Sequence, residues 1–522
     1  MLQRELPRSL DTTHLQTLWV IPFTVCLMVV GVQLAGCTSG TGNSSGTSVG
    51  SGSGAVPGAN GGTNPGNTTV SNPSVVFIAD KEQDETSELY VADAFGASRA
   101  KLSGVLAGGG NVSTFLWSPD RSKVAFRADK DQKGVFELYV APASGGTPIK
   151  VSGSMPSDGD VWQFAWSPDS TRLVYRADSS TDEVFELFAV FSDGQANVKI
   201  SAPLGSGGSV GSFAWSPNGS YIAYLASTNV LTSPSELFVV QPTGAGNTNA
   251  SGLLVQGGSV EAFEWAPDSS RVAFRADKEV DGIVELFTVL ASGSDILKVS
   301  NALPAYADVL NFSWAPNSAL LAYRATTIAG NLSELFTAPA TGGQNLNVSN
   351  LLPPDGGVSE KFHWSPDSSR IAYIADKLTD GVDELFVSTF AGGAWNNLPY
   401  SAPLVFGGNV SSFSWSPDGS HLAYLADALS DDVTELFTVA LASPAAAQRM
   451  TPQLTPGGNI SAFTWSTDGF GLIYVGDQDQ YQMFELYSVS LLSSDITRLS
   501  GPLVDGGDVL RAAAGPTVFF NP

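Results

Sequence analysis

The feature that most constrains this chain is a motif that returns along most of its length. The pattern F-x-W-[SA]-[PT]-[DN] recurs every 49 to 51 residues, and a second pattern, E-L-[FY], recurs with the same period. The tryptophans of the first pattern are Trp117, Trp166, Trp215, Trp265, Trp314, Trp364, Trp415 and Trp465. The glutamates of the second are Glu88, Glu137, Glu186, Glu236, Glu285, Glu334, Glu384, Glu435 and Glu485. Two independent markers with one period indicate a single repeat array rather than several unrelated domains.

Each repeat has the composition of four short strands. Residues 164–178 contain two runs rich in aromatic and β-branched residues, separated by Ser167-Pro168-Asp169-Ser170, a sequence that suits a type I turn. A third run covers residues 186–190 and a fourth covers residues 198–201. About 50 residues for four strands is the size of one propeller blade, so we predict a four-stranded antiparallel sheet for each repeat.

The faces of the strands predict how the blades associate. Phe164 and Trp166 are two residues apart and therefore lie on the same face, where only a neighbouring sheet can bury them. A ring satisfies every blade without an open apolar end. Residues 75–80 match the second strand of a repeat, and residues 506–517 align with 109–120, with Ala514 at the place of Trp117. We therefore predict an all-β fold, a single β-propeller of nine blades, closed by N- and C-terminal strands that share one blade; eight blades is the alternative.

The N-terminal residues are typical of an export signal. Residues 18–32 are almost wholly apolar after Arg4 and Arg8, and Leu34-Ala35-Gly36-Cys37 resembles the lipobox of bacterial lipoproteins. This resemblance implies cleavage before Cys37 and lipid attachment to its sulfur; an uncleaved anchor helix is the alternative. The predicted boundaries are a signal peptide at 1–36, a tether rich in Gly, Ser, Thr and Asn at 37–73, and the propeller at 74–522.

Composition excludes several classes of function. Twenty-five Lys+Arg and fifty Asp+Glu give a net charge of -25, which opposes the attraction to phosphate that nucleic-acid binding needs. Two cysteines and three histidines are too few for a thiolate zinc site or a disulfide framework.

The repeat resembles that of a known group of propellers. The run W-S-P-D-G-S-x-L-A-Y at residues 415–424, followed by E-L-F, resembles the repeats of the TolB family of the Tol-Pal envelope system and those of dipeptidyl-peptidase-type propellers. The resemblance implies a propeller fold and, for TolB, an envelope scaffold. It says little about activity, because such blades serve scaffolds, peptidases and lyases alike.

The sequence offers few residues suited to catalysis. Residues 207–211 fit G-x-S-x-G, but they occupy an inter-repeat linker rather than a strand-to-helix turn. His363 and His421 do not recur between repeats and are interpreted as ordinary strand or turn residues. We therefore predict no catalytic, cofactor-binding or metal-binding residue, and assign the repeated tryptophans and glutamates to structure. Candidate partners for the glutamates are arginines on the preceding strand or, elsewhere, backbone amides and hydroxyls; the arginines are Arg127, Arg176, Arg275 and Arg324.

Acidic residues concentrate between the second and third strands of the repeats. In an antiparallel blade this loop and the link to the next blade emerge at the same end, so the carboxylates should share one mouth of the ring. The candidate acidic rim consists of Asp80, Asp129, Asp131, Asp178, Asp182, Asp277, Asp281, Asp376, Asp380, Asp427, Asp431, Asp477 and Asp479. A solvated rim, a binding face for a basic partner and a calcium site are the three interpretations. No other cofactor is expected.

These observations predict a function for the whole chain. We expect a monomeric, lipid-anchored propeller in the outer membrane or periplasm of a Gram-negative bacterium, which acts as a non-catalytic scaffold for envelope proteins. Its contact with the membrane is through the lipid alone. The alternative is a lyase or hydrolase that works in the central channel with a divalent cation.

Overall fold

Nine antiparallel sheets follow one another along the chain, each a meander of consecutive strands. The structure is a computed structural model and describes residues 73–79, 81–82, 86–93, 98–205, 207–227, 235–326, 332–500, 513–514 and 517–518. We name the sheets blades 1 to 9 in chain order; blade 1 has three strands among the described residues, and blades 2 to 9 have four each. The described residues contain no α-helix, and one short 3-10 turn covers Ala107–Gly109. The chain is thus an all-β propeller with nine blades rather than eight.

The strands keep nearly the same bounds from one repeat to the next. The first strands of blades 2 to 9 are Val112–Trp117, Val161–Trp166, Ser209–Trp215, Val260–Trp265, Val309–Trp314, Gly357–Trp364, Val410–Trp415 and Ile460–Trp465. The second strands of blades 1 to 9 are Pro73–Ala79, Lys123–Ala128, Arg172–Ala177, Ile222–Ser227, Arg271–Ala276, Leu320–Thr326, Arg370–Asp376, His421–Ala426 and Gly471–Gly476. The third strands are Glu88–Asp93, Glu137–Pro142, Glu186–Phe191, Ser235–Val240, Glu285–Leu290, Ser333–Pro339, Asp383–Ala391, Glu435–Ala440 and Glu485–Ser490. The fourth strands are Arg99–Lys101, Ile149–Lys150, Val198–Lys199, Thr248–Asn249, Leu297–Lys298, Leu346–Asn347, Ala394–Pro399, Gln448–Arg449 and Ile496–Arg498.

The turn between the first and second strands has the predicted chemistry. In blade 3 the Ser170 amide donates to the Ser167 carbonyl over 2.9 Å, which closes the turn. Asp169 accepts from the Ser167 hydroxyl and from the Thr171 amide. Ser170 has a φ of 62°, a left-handed conformation that glycine adopts at the same place in blade 4, where Gly219 has a φ of 70°. The short polar sequence therefore supplies both the hydrogen bonds and the backbone conformation that reverse the chain.

A stacked aromatic pair joins the second and third strands of every blade. The ring centroids are 5.2 to 5.7 Å apart, and the rings are inclined by 15 to 23°. The pairs are Phe77–Tyr90, Phe126–Tyr139, Tyr175–Phe188, Tyr224–Phe238, Phe274–Phe287, Tyr323–Phe336, Tyr373–Phe386, Tyr424–Phe437 and Tyr474–Tyr487. Cross-strand aromatic pairs of this kind stabilise a sheet beyond the area they bury.

The hydrophobic core lies between the blades rather than within any one of them. Eight clusters of buried side chains are found, and each joins two consecutive blades. In one cluster Phe164 and Trp166 of blade 3 pack against Leu138 and Val140 of blade 2. Each blade therefore buries its apolar face only in the presence of its neighbour, as the spacing of Phe164 and Trp166 predicts.

The predicted closing strand falls mostly outside the described residues. Of residues 506–517, the structure describes 513, 514 and 517. Within this described part of the tail, Ala513–Ala514 pairs with Thr517–Val518 in a two-stranded sheet and not with blade 1. Closure of the ring by a shared blade therefore stays a prediction. The predicted signal peptide, Cys37 and almost all of the tether also lie outside the described residues.

Candidate interaction surface at the linker end of the blades

The repeated tryptophans connect the first strands of successive blades. In blades 3 to 9 each indole Nε1 donates to the main-chain carbonyl of the residue that precedes the tryptophan of the previous blade, over 3.1 to 3.4 Å. The acceptors are Leu116, Ala165, Ala214, Glu264, Ser313, His363 and Ser414. Trp117 and Trp215 are partly buried and the other six tryptophans are buried. The first strands therefore converge, which makes them the inner strands of the propeller.

Eight of the nine repeated glutamates find partners on the fourth strand, and Glu384 finds one in the loop before its own strand; none is paired with the arginines of the second strand. Lysine or arginine pairs with Glu88, Glu137, Glu186, Glu285, Glu435 and Glu485; the partners are Lys101, Lys150, Lys199, Lys298, Arg449 and Arg498, respectively. Asn249 donates to Glu236, Asn347 donates to Glu334, and the Leu378 amide donates to Glu384. The expectation that these glutamates are paired with Arg127, Arg176, Arg275 and Arg324 is wrong. In blade 2, Arg127 lies opposite Leu138 in the sheet register, and Leu138 is the residue after Glu137. The Arg127 side chain therefore projects from the face of the sheet opposite to that of Glu137.

The inter-blade linkers and the loops between the second and third strands meet at one end, which we call the linker end. The Ala107 amide donates to the Lys130 carbonyl over 2.8 Å, and the Val255 amide donates to the Lys278 carbonyl over 3.1 Å. Gly257 has a φ of 91°. Its backbone lies so close to the Asp281 carboxylate that a Cβ atom placed on Gly257 would be 2.7 Å from the Asp281 Oδ1. The two segments therefore form a common surface, as the strand topology predicts.

The aspartates of the candidate rim divide into two groups with different surroundings. The first group lies at the ends of the second strands and is hydrogen-bonded to the backbone, on two sides in every member but Asp376, which accepts from the Gly381 amide alone. In blade 3, Oδ1 of Asp178 accepts from the Asp160 amide over 2.6 Å and Oδ2 accepts from the Glu183 amide over 3.3 Å. Asp178 is 3% exposed. This group, which we call the clamp aspartates, consists of Asp129, Asp178, Asp277, Asp376, Asp427 and Asp477.

The clamp also reaches the preceding blade. Asp160, whose amide donates to Asp178, accepts the Phe136 amide of blade 2 at its own Oδ1 over 2.6 Å. Asn459 has the same role in blade 9, since it accepts the Thr434 amide of blade 8 over 2.7 Å and donates to Asp477. Except for Asp376, whose Oδ1 is buried without a partner, the clamp aspartates thus fix both the loop and the blade interface, and their carboxylates are occupied by the protein's own amides.

The second group projects from the loops and is exposed to solvent. It consists of Asp131, Asp182, Asp281, Asp380, Asp431 and Asp479, which we call the rim aspartates. Asp80 lies outside the described residues. In the described part of the chain no group of three His, Cys, Asp or Glu residues is arranged to hold a metal ion. The separation of clamp from rim was not visible in the sequence, where both groups are aspartates a few residues apart.

Large apolar side chains share the linker end with the rim aspartates. Leu253, Tyr306, Leu351 and Phe406 in the linkers are 89 to 100% exposed. The full set is Val105, Leu253, Tyr306, Leu351 and Phe406 in the linkers, and Val280, Leu378, Leu429 and Tyr481 in the loops. None of these residues was predicted as functional from the sequence. The signal that could have found them is a large apolar side chain at a linker position, where a solvated turn does not need one.

Two ionisable side chains interrupt the small residues at the position before the tryptophan. Glu264 precedes Trp265 and His363 precedes Trp364 on the first strands of blades 5 and 7. Desolvation by the neighbouring strands raises the pKa of the partly buried Glu264 to about 8 and lowers the pKa of His363, whose side chain keeps an exposed part. The His363 ring lies edge-on to Phe413, with 5.3 Å between centroids. His421 is on the second strand of blade 8, where its Nδ1 lies 2.7 Å from the Ser420 hydroxyl.

Comparisons with known proteins concern the fold alone. No family model matches the sequence, and no curated protein matches it significantly. Dipeptidyl peptidase 4 of Porphyromonas gingivalis is similar to this chain at 11% identity and a TM-score of 0.49, over 76% of this chain and 59% of that one. A prolyl endopeptidase structure is similar at 14% identity and a TM-score of 0.39, over 66% of this chain and 50% of that one. This chain thus matches little more than half the length of these peptidases, and at this similarity they carry no argument about its activity. The resemblance to TolB stays a prediction.

The described residues contain no helix that is long and apolar enough to cross a bilayer. The assignment to the β-propeller class rests on the topology of the nine sheets and on their packing.

Proposed function

We propose that this chain is an exported, lipid-anchored propeller that acts as a non-catalytic scaffold and binds a partner protein at the linker end. The observation that carries the proposal is the coincidence of six exposed carboxylates with nine exposed large apolar side chains on that end. The partner that fits this surface presents lysine or arginine side chains beside apolar ones.

The two kinds of side chain have different effects on binding. Apolar side chains left in water stabilise a complex by about 25 cal/mol for each Å² that a partner covers. The rim carboxylates add to a net charge of -25, which attracts a basic partner and accelerates its encounter more than it raises the final affinity. A solvated rim needs the carboxylates and does not need Leu253, Tyr306, Leu351 or Phe406, so these residues favour a binding face.

The test neutralises the rim aspartates and compares the variant with a charge-matched control. The rim variant changes all six rim aspartates to asparagine. The control changes six aspartates of the opposite turns to asparagine: Asp120, Asp169, Asp268, Asp367, Asp418 and Asp468. Asparagine is suited to these turns, because Asn218 and Asn317 occupy the same place in blades 4 and 6. The net charge of both variants is therefore less negative by six units, and the control keeps the bond from the backbone amide two residues later that Asn218 and Asn317 accept.

The measurement is crosslinking and co-purification from native envelopes. We expect the wild-type chain and the turn control to retain the same partner, and the rim variant to lose it. Replacement of Leu351 and Phe406 by serine should weaken capture without any change of net charge. Equal capture by the rim variant and the turn control would discard the linker end as the binding face.

Anchoring and location are part of the same proposal and rest on the lipobox-like sequence around Cys37. The proposal predicts a lipid on the sulfur of that cysteine. A Cys37→Ser variant should leave the membrane fraction and lose labelling by a fatty-acid analogue. Unchanged fractionation of that variant would contradict the lipid anchor.

A further inference from the structure

An exposed tryptophan stands on the inner strand of blade 3, at a position where no other blade has an aromatic residue. Trp162 is 56% exposed. The register between the first two strands shifts between Val161 and Gln163, so Trp162 is the extra residue of a β-bulge. A bulge at the equivalent place has Ser113 as its extra residue in blade 2, Glu261 in blade 5 and Leu310 in blade 6. Bulges redirect a side chain out of the regular alternation, and here the bulge directs an indole to solvent.

Two arginines lie on aromatic rings on either side of this tryptophan. The Arg127 guanidinium is 4.2 Å from the centroid of the Phe136 ring and 5.9 Å from that of Trp162. The Arg176 guanidinium is 4.3 Å from the Phe185 centroid, and the Phe185 ring is edge-on to Trp162 with 5.6 Å between centroids. A guanidinium that lies on a ring uses its flat face and leaves the N–H groups of its edge available as donors.

Arg275 and Arg324, the counterparts of Arg176 in blades 5 and 6, have their guanidinium groups hydrogen-bonded by the protein itself, whereas Arg176, within the described part of the chain, does not. Arg275 donates to the Val309 and Leu310 carbonyls and pairs with Glu261. Arg324 donates to Asn311 and to the Val358 carbonyl.

Arg127 is less fully paired, and Arg176 is not paired at all. Arg127 is 3.4 Å from the Ser113 hydroxyl and 3.6 Å from an Asp160 oxygen. Among the described residues none accepts a hydrogen bond from Arg176, whose Nε is buried without a partner. A partly buried charge with unused donors is costly unless a ligand or solvent pairs with it.

We propose that Trp162, Phe185 and Arg176 form a binding site for a carboxylate that carries an apolar side group, such as the C-terminal carboxylate of a peptide that ends in an aromatic residue. The planar edge of Arg176 matches the two oxygens of a carboxylate, and the exposed indole face of Trp162 covers the side group. A single negative charge suits the site better than a phosphate dianion, because Asp160 and Asp178 lie nearby and the whole chain is acidic. This site lies at the linker end, because Phe185 belongs to the loop between the second and third strands of blade 3. It uses none of the rim aspartates or exposed apolar residues on which the proposed function rests, so the two proposals are tested separately.

The experiment compares two ligands that differ only in charge. N-acetyl-phenylalanine and its primary amide are titrated into the full chain at neutral pH and about 0.15 M salt, where the Debye length is about 8 Å. Isothermal titration calorimetry measures the affinity, and indole signals in the NMR spectrum report contact with a tryptophan. We expect the acid to bind at least about tenfold more tightly than the amide, since a charge-assisted pair is lost in the amide.

Three variants assign the binding to the proposed residues. Arg176→Gln and Trp162→Ser should each weaken binding of the acid at least about tenfold. Arg324→Gln removes an arginine that is already satisfied by the protein, and should leave the affinity within about twofold. Thermal melting of each variant shows that the blades remain folded.

The proposal fails if neither ligand binds at millimolar concentration, if acid and amide bind equally, or if Arg176→Gln binds as well as wild type. Displacement of the acid by an equal concentration of inorganic phosphate would overturn the assignment to a carboxylate.

Discussion

The division between clamp and rim aspartates predicts opposite results for two substitutions in one loop. Asp178→Ala removes the acceptor of two backbone amides, those of Asp160 and Glu183. Asp182→Ala removes an exposed carboxylate four residues later in the same loop. Both variants change the net charge by one unit and shorten the same type of side chain. Any difference in stability therefore comes from the hydrogen bonds and not from the charge.

The magnitude follows from the number of bonds that are lost. Hydrogen bonds to a charged group contribute about 1.5 to 3 kcal/mol each, so Asp178→Ala, which loses two, should cost about 3 to 6 kcal/mol. The blades span residues 73–498. At about 2.1 cal/mol/K per residue, the entropy of unfolding of such a chain is about 0.9 kcal/mol/K. The melting temperature should therefore fall by about 3 to 7 °C, whereas Asp182→Ala should change it by less than about 1 °C.

Differential scanning calorimetry at neutral pH is the assay, and blade 6 supplies a rescue variant. There Thr326 takes the place of the clamp aspartate, and its hydroxyl accepts the Asp308 amide over 2.7 Å. Asp178→Thr should therefore recover part of the stability lost in Asp178→Ala. If Asp178→Ala and Asp182→Ala melt within about 1 °C of each other, the assignment of Asp178 to structure is wrong.

Further substitutions probe the repeats, the inner strands and the export signal. Glu186→Ala removes the ion-pair partner of Lys199 and should lower the melting temperature by about 1 to 3 °C. An unchanged melting temperature would refute the structural role of that glutamate. Trp265→Phe keeps an aromatic ring but leaves a main-chain carbonyl without its donor, so calorimetry should show a loss of about 1 to 3 kcal/mol. The pKa of Glu264 is about 8 in the folded chain and 4.5 in the unfolded chain. The contribution of Glu264 to the free energy of unfolding should therefore fall as pH rises between these two values. The difference in melting temperature between Glu264→Gln and wild type should grow over that interval and level off above it; a constant difference would contradict the raised pKa. Cys37→Ser should move the protein out of the membrane fraction, as set out above.

The periodic features of this protein could be predicted because they depend on local sequence. The spacing of Phe164 and Trp166 places both on one face of a strand, and Ser167-Pro168-Asp169-Ser170 supplies a turn that closes on itself. Strand bounds, the number of blades and the shared end of loops and linkers follow from these local rules repeated nine times. The sequence by itself therefore determined the architecture and its repeat.

The roles of individual charged residues could not be predicted in the same way. Whether Asp178 or Asp182 is available to a partner depends on which backbone amides lie within reach, and one of them, that of Asp160, belongs to the linker before the first strand. The partner of Glu186 likewise comes from the fourth strand, because neighbouring positions on the second strand project from alternate faces.

Only the tertiary structure brought together the groups that suggest binding. Arg127 and Arg176 belong to different blades, and Trp162 lies between them because a β-bulge redirects its side chain. The exposed side chains at the linker end are apolar residues that a sequence pattern would assign to the core. Local sequence fixes how each blade forms, but exposure and pairing are properties of surfaces that exist only after the blades have packed.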